Sequence, residues 1–117
     1  MDIRRGDVVW GDLGVPVDNV QGGIRPVIIV QNDVGNRFSP TTLAVPVTSS
    51  KTKKYLPTHV AIKAEPSNGL SLDSLVLTEQ HFTISKRNIY EKLGTLTSEQ
   101  LARVNVALAV SMGLMTA

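Results

Sequence analysis

A chain of 117 residues and 12.6 kDa has room for one domain, residues 1–117, and can bury roughly two-thirds of its unfolded surface in a single core. Hydrophobic residues at 42% and charged residues at 19% exclude a disordered chain, and the absence of cysteine excludes a disulfide framework, an iron–sulfur cluster, a cysteine zinc site and a thiol nucleophile. The net charge of +2 is unevenly spread: Val34 to Ala64 holds Arg37, Lys51, Lys53, Lys54 and Lys63 with no acid, leaving seven basic and ten acidic residues elsewhere. That segment is either a solvated face or a surface for a polyanion.

The start Met1-Asp2-Ile3-Arg4-Arg5 leads into no long apolar run, so no signal peptide is expected. Gly6 to Trp10 reads as a first strand. Gly11 to Gly23, broken by Gly14, Pro16, Asp18-Asn19 and Gly22-Gly23, reads as a loop long enough to border a binding site. Arg25 to Asn32 is rich in β-branched residues on both faces, as a central buried strand is, with Pro26 tolerated at its start. Asn32 to Asn36 is turn chemistry, extended as a loop by Ser39-Pro40. Leu43 to Thr48 is a third strand with Leu43, Val45 and Val47 on one face and Ala44, Pro46 and Thr48 on the other; Pro46 demotes it to an edge or bulged strand. Ser49 to Leu56 is a basic connection. Further strands fall at His59 to Ile62, around Leu75 to Leu77, and within Ile89 to Leu96.

A helix follows. Thr97 with Gln100 forms a capping-box pattern, and Glu99 suits the first turn. Leu101, Val104, Leu108, Met112 and Met115 recur at helical spacing to about Leu114, and Val106, Ala107, Val110 and Leu114 widen the stripe. A stripe this wide packs on the sheet alone or on the sheet and a second copy. The most apolar stretch, Val104 to Met115, is 12 residues long and too short to span a bilayer. Short strands, breaker-rich loops and one terminal helix give a β-rich α+β class, a small curved sheet or barrel with short helices and a C-terminal helix.

The chemistry on offer is narrow. The glycines match no phosphate-loop or dinucleotide fingerprint, His59 and His81 lack ligand spacing, and no nucleophile elbow surrounds a serine. What remains is Gly22-Gly23-Ile24-Arg25-Pro26. It permits close approach of backbone to a ligand and holds Arg25 at the mouth of a buried strand, where its planar fork suits a phosphate. Thr48, at the end of the third strand, offers a hydroxyl. From the residues alone, Arg25 serves equally as a structural ion-pair partner and Thr48 as an ordinary strand end.

Arg5-Gly6-Asp7-Val8, then Gln21-Gly22-Gly23-Ile24-Arg25-Pro26-Val27-Ile28-Ile29-Val30-Gln31-Asn32, then Asn36-Arg37-Phe38-Ser39-Pro40-Thr41, resemble the MazF/PemK-type toxins of toxin–antitoxin modules. Leu56-Pro57-Thr58-His59-Val60 and Leu77-Thr78-Glu79-Gln80 extend the resemblance, which runs in order from about Ile3 to Ile84. The resemblance implies an SH3-like barrel, a homodimer, and a cytoplasmic, sequence-specific endoribonuclease that cleaves single-stranded RNA, chiefly mRNA. It implies no metal and no cofactor. It also implies a cognate MazE-like antitoxin with an acidic tail. The family's catalytic pair falls on Arg25 and Thr48. RNA contacts are expected from Gln21, Gly22, Asn32, Phe38, Ser49, Lys51, Lys53, Lys54 and Gln80, with Phe38 also readable as core and the lysines as a solvated loop. Attack by the substrate's 2′-hydroxyl would leave a 2′,3′-cyclic phosphate and a 5′-hydroxyl. Arginine stays protonated in water and is a poor base, so Glu79, His59 and a phosphate oxygen stand open as proton acceptors. Phe82 departs from the arginine many relatives carry there, which touches a dimer or RNA contact. The competing readings are a non-catalytic toxin of similar fold that blocks a protein such as DNA gyrase, and a non-catalytic nucleic-acid-binding barrel.

Overall fold

The structure, a computed structural model, describes residues 1–18, 20–49 and 56–117. Its centre is the apolar run after Pro26. Strand β2 (Ile24–Ile29) lies between β1 (Asp7–Asp12) and β3 (Thr41–Thr48), and Val27, Ile28 and Ile29 are fully buried. Side chains alternate across a strand, so neighbouring residues feed two cores. Val8, Ile28, Val45 and Val47 cluster on one face with Val60, Ile62, Val76, Val104 and Ala107. Val9, Val27, Ile29 and Ala44 cluster on the other with Ile3, Ile84 and Ile89. Burial on both faces is why this run is apolar at consecutive positions.

The remaining elements are α1 (Asp33–Phe38), β4 (His59–Ile62), β5 (Ser74–Leu77), β6 (Phe82–Ser85), β7 (Ile89–Thr95) and α2 (Ser98–Ser111), with 3₁₀ turns at Thr78–Gln80 and Lys86–Asn88. The strands pair antiparallel in the order β4-β5-β3-β2-β1-β7, and β6 lies beside β3. Among the described residues the two ends of this order do not pair, so the expected curved sheet or barrel is an open seven-stranded sheet with a C-terminal helix.

Pro46 does not make β3 an edge strand. Val30 N–H donates to Leu43 O (2.9 Å), so Val30–Leu43 and Ile28–Val45 are the bonded pairs, and the missing donor of Pro46 points to the other edge. On that edge β6 takes Thr41 to Ala44 and β5 takes Val47 and Thr48. Pro46 sits between the two partners, where no ladder donor is required.

Asn32 to Asn36 is a short helix rather than a loop. Asn32 caps it by accepting from Gly35 N–H, and Asn36 turns inward, donating to Gln31 O (2.8 Å) and accepting from the buried Thr42 hydroxyl (2.6 Å). Asn and Asp suit caps and turns for the same reason, a short polar side chain that bonds nearby backbone. Gly11 and Asp12 belong to β1, so the first loop begins at Leu13. A Cβ on Gly11 would lie 3.1 Å from Ile84 and 3.2 Å from Val27, so the glycine lets two side chains close over the strand.

The capping box of α2 forms as expected: Gln100 N–H donates to the Thr97 hydroxyl (3.1 Å), and Thr97 N–H donates to Gln100 Oε1 (2.9 Å). The helix ends at Ser111, before the expected Leu114. Gly113 adopts φ +74°, Gly113 N–H bonds Val110 O, and Leu114 N–H bonds Ala109 O, which is a Schellman close. Val104 and Ala107 enter the core, whereas Val106, Met112, Leu114 and Met115 stay exposed. Among the described residues no helix is long and apolar enough to cross a membrane.

Candidate active site

The register between β2 and β3 pairs Val27 with Pro46. The β2–β3 pairing ends there; continued two residues further, the same register would place Arg25 across from Thr48, on one face and at a non-bonded position. Such pairs have Cα atoms about 4.5 Å apart and bring side chains together. Both residues line a cleft of about 270 Å³, together with Ser49, Trp10 from β1, Ser71 and Leu72 from the approach to β5, and Ser74 at its start. The half-buried Arg25 donates from Nε to Gly22 O (2.9 Å). That bond fixes the plane of the guanidinium and leaves its two Nη groups for the cleft. Thr48 is 8% exposed.

The first loop is closed at its base by Leu13 N–H to Gly23 O (2.9 Å) and Gly23 N–H to Gly14 O (2.7 Å), and Gly14 N–H bonds the Asp12 carboxylate (2.9 Å). Above the base, Gln21 N–H donates to Gln80 Oε1 (2.8 Å). Gln80 is thus joined to Gln21, and the next residue, Gly22, is joined to Arg25. Asn32 and Phe38 lie apart from Arg25. At ~3.3 Å per residue, about 16 Å of strand separates Arg25 from Val30, and α1 lies beyond that end. There the oxygen of Asn32 is used as a helix cap, and Phe38 is 75% exposed with the Arg37 guanidinium 5.2 Å from its ring centre. Phe38 is therefore not core. Lys51, Lys53 and Lys54 lie outside the described residues. Of the other basic residues of that segment, Arg37 is on α1 and Lys63 follows β4.

Glu79 and His59 are engaged with each other. His59 Nε2 lies 3.1 Å from Glu79 Oε2, and the Thr58 hydroxyl donates to Glu79 Oε1 (3.0 Å). His59 is buried, its Nδ1 has no hydrogen-bond partner among the described residues, and neither residue lines the Arg25 cleft. Near α1, Asp33 accepts from Arg5 N–H (2.7 Å) and from the Asn36 amide (3.1 Å). These bonds, the first above all, hold its carboxyl below the usual aspartate value. Among the described residues no three histidine, aspartate or glutamate side chains gather where they could hold a metal. The cleft therefore offers a fixed cation and hydroxyl groups.

Sequence reasoning missed Trp10, Ser71, Leu72 and Ser74 as cleft walls. Trp10 carries a weak signal, a large aromatic at the outer part of a strand facing Pro26 across the ladder. Ser71 and Leu72 sit in a connection without periodicity and Ser74 opens β5, and the pairing of β3 with β5 brings them to Thr48.

Residues 4–112 match the family of PemK-like, MazF-like toxins of type II toxin–antitoxin systems. The chain is 44% identical over 114 residues to the endoribonuclease EndoA of Bacillus subtilis (strain 168), covering 97% of each. Among solved structures it is similar to an endoribonuclease in complex with its cognate antitoxin from a mycobacterial species, with a TM-score of 0.80 and 31% identity over 98% of this chain and 99% of that one. It shares the fold of MazF from Deinococcus radiodurans, with a TM-score of 0.81 and 24% identity over 97% of this chain and 98% of that one. With a family match across nearly its whole length, the chain belongs to the PemK-like, MazF-like toxins of type II toxin–antitoxin systems.

Proposed function

We propose that the protein is a sequence-specific, metal-independent endoribonuclease that cleaves single-stranded RNA at the Arg25–Thr48 cleft. The observation that carries this reading is the cleft that Arg25 and Thr48 line together, with the arginine fork held by Gly22 O. The relatives described as endoribonucleases support it. In the reaction the RNA 2′-oxygen bonds to the adjacent phosphorus and the bond from phosphorus to the 5′-oxygen breaks. The 2′-hydroxyl proton passes to an acceptor and the departing 5′-oxygen takes one up. Products are a 2′,3′-cyclic phosphate and a 5′-hydroxyl. The Arg25 Nη groups stabilise charge on the non-bridging oxygens as the phosphorane forms, and the Thr48 hydroxyl donates to one of them. The ladder holds both groups in place, and pre-set geometry supplies much of such a rate enhancement. With Glu79 and His59 outside the cleft, a phosphate oxygen is the acceptor we favour. Ser49 and the loop residues Gln21 and Gly22 border the RNA path, and the Lys51, Lys53 and Lys54 segment follows Thr48 in sequence, suited to backbone phosphates.

The solved mycobacterial relative carries its antitoxin, and here a cognate MazE-like antitoxin with an acidic tail would compete with RNA for Arg25. A homodimer is supported by the exposed Val106, Met112, Leu114 and Met115 on and after α2. The working location is the cytoplasm, where mRNA is met. The test is incubation of a long single-stranded RNA with the protein in excess EDTA, beside DNA of the same sequence. Discrete RNA fragments with intact DNA are expected, and Arg25→Ala abolishes them without loss of fold. Intact RNA with folded protein would overturn the reading in favour of a toxin that blocks a protein target.

A further inference from the structure

The first loop lies outside the paired sheet, yet it carries the carbonyl that orients Arg25. Its base bonds, Leu13 to Gly23 and Gly23 to Gly14, hold the two stems together. The Gly23 N–H belongs to the same planar peptide as Gly22 O, so its bond to Gly14 O sets that carbonyl from the Gly23 side and leaves the Gln21 side to a further hold. Among the described residues, the loop's hydrogen-bonded tie beyond its own stems is Gln21 N–H to Gln80 Oε1, 2.8 Å long and spanning 59 positions in sequence. We propose that Gln80 is a positioning residue: its carboxamide oxygen clamps Gln21, so that the next residue's carbonyl, Gly22 O, keeps the Arg25 fork aimed into the cleft. The kinetic part of this proposal rests on the endoribonuclease reading; the structural part does not.

Three features support the clamp. The path is short: the Gln80 oxygen holds the Gln21 amide, the Gln21–Gly22 peptide follows, and Gly22 O accepts from Arg25 Nε at 2.9 Å. The clamp is also mounted on a braced element. The 3₁₀ turn Thr78–Gln80 is tied to Thr58 through both the amide and the hydroxyl of Thr78, and Glu79 is held by Thr58 and the buried His59. A group meant to hold geometry works best when its own support is rigid. Finally, Gln21 is half-buried, and leaving its amide unpaired there carries a desolvation penalty, so a lost acceptor drives the loop to another arrangement. The His59–Glu79 pair, which lies outside the cleft, then has a use: it fixes the turn from which Gln80 reaches.

The test compares Gln80→Leu, which removes the acceptor, with Gln80→Glu, whose carboxylate still accepts from Gln21. Hydrogen exchange at the Gln21 amide, followed by NMR on the full chain, reads the clamp without any RNA. Steady-state cleavage of a single-stranded RNA reads its consequence. Gln80→Leu is expected to speed Gln21 exchange about tenfold and to lower kcat roughly five- to tenfold with KM within twofold, the scale set by one lost hydrogen bond. Gln80→Glu recovers the protection and most of the lost kcat. Unchanged Gln21 exchange in Gln80→Leu overturns the clamp. Faster exchange with unchanged kcat overturns its link to Arg25. A rise in KM alone, shared by Gln80→Glu, overturns it in favour of a direct RNA contact by the carboxamide. Failure of the unsubstituted protein to cleave any RNA refutes the endoribonuclease reading, and the exchange arm then decides the clamp by itself.

Discussion

Gly22→Ala is expected to remove most of the cleavage activity while leaving the fold in place. A Cβ at this position would stand 2.5 Å from Pro16 N, 2.6 Å from Pro16 Cδ and 2.7 Å from Pro16 Cβ. Ordinary contact begins at 3.4 Å, so about 0.9 Å of displacement is required. Pro16 and Gly22 lie in the same loop, and the loop absorbs the shift. Gly22 O moves with it, and with Gly22 O moves the Arg25 Nε that it holds. A misplacement of ~1 Å in a positioned group costs on the order of 10²-fold in rate, or about 2.7 kcal/mol of transition-state stabilisation. The loop is largely exposed, so the strain relaxes and global stability falls by only about 1 kcal/mol. The assay is single-turnover cleavage of a short RNA containing the recognised site, beside thermal unfolding. A rate within threefold of the unsubstituted protein would refute the coupling of Gly22 to Arg25. Gly23 is a different case: it adopts φ +74°, and a Cβ there would meet nothing within 4 Å, so alanine is opposed by backbone conformation and not by a neighbour.

Three further outcomes follow from the same structure. Thr97→Ala removes half of a formed capping box and is expected to cost about 1 kcal/mol, seen as a fall of about 4 °C or more in Tm; an unchanged Tm contradicts it. Asn36→Ala leaves the fully buried Thr42 hydroxyl and the Gln31 carbonyl without their partner and is expected to cost roughly 2–3 kcal/mol by urea unfolding, so a loss under 0.5 kcal/mol would contradict the bonding described. Asp33 has a folded pKa held below its ordinary 3.8, chiefly by Arg5 N–H. Its stabilising contribution is therefore present above that value and is lost as pH falls through the lower folded value. Asp33→Asn should thus be less stable than the unsubstituted protein at pH 7, with the difference shrinking below about pH 4; an equal difference at both pH values contradicts the assignment.

Arg25 and Thr48 were legible as candidates, and it was the resemblance, not local chemistry, that paired them. Gly-Gly-x-Arg-Pro places an arginine at the start of a strand that is apolar on both faces, and face alternation puts Thr48 with Ala44 and Pro46. Their meeting depends on register, which no local pattern states. The C-terminal helix was legible through its cap and period, but its end was set by Gly113 two residues beyond Ser111, where apolar periodicity continues and backbone conformation does not. Strand β6 was illegible because four residues between two 3₁₀ turns carry no period, and its pairing with Thr41 to Ala44 is what defines it. Asn32 and Asn36 read as turn residues because capping and turn formation use the same side-chain oxygen. In the fold they build α1 and bury a hydroxyl contact, which gives the Asn32 to Asn36 stretch a structural purpose at the end of the sheet remote from Arg25. Phe38 went the other way, an aromatic with a core alternative that the structure leaves exposed beside Arg37. The link from Gln80 to Gln21 had no sequence signal, since one side chain bonds a backbone group in a distant segment.

The central claim is that the Arg25–Thr48 cleft assists an attack by the RNA's own 2′-hydroxyl. The most direct measurement uses two short oligonucleotides of the recognised sequence, one entirely RNA and one with a single 2′-deoxynucleotide immediately 5′ of the scissile phosphate, each incubated in excess EDTA with end-group analysis of the products. The account predicts a 5′-hydroxyl and a 2′,3′-cyclic phosphate from the first, and no cleavage at that position in the second despite comparable binding. Cleavage of the deoxy-substituted strand at a similar rate, or products bearing a 5′-phosphate, would contradict it.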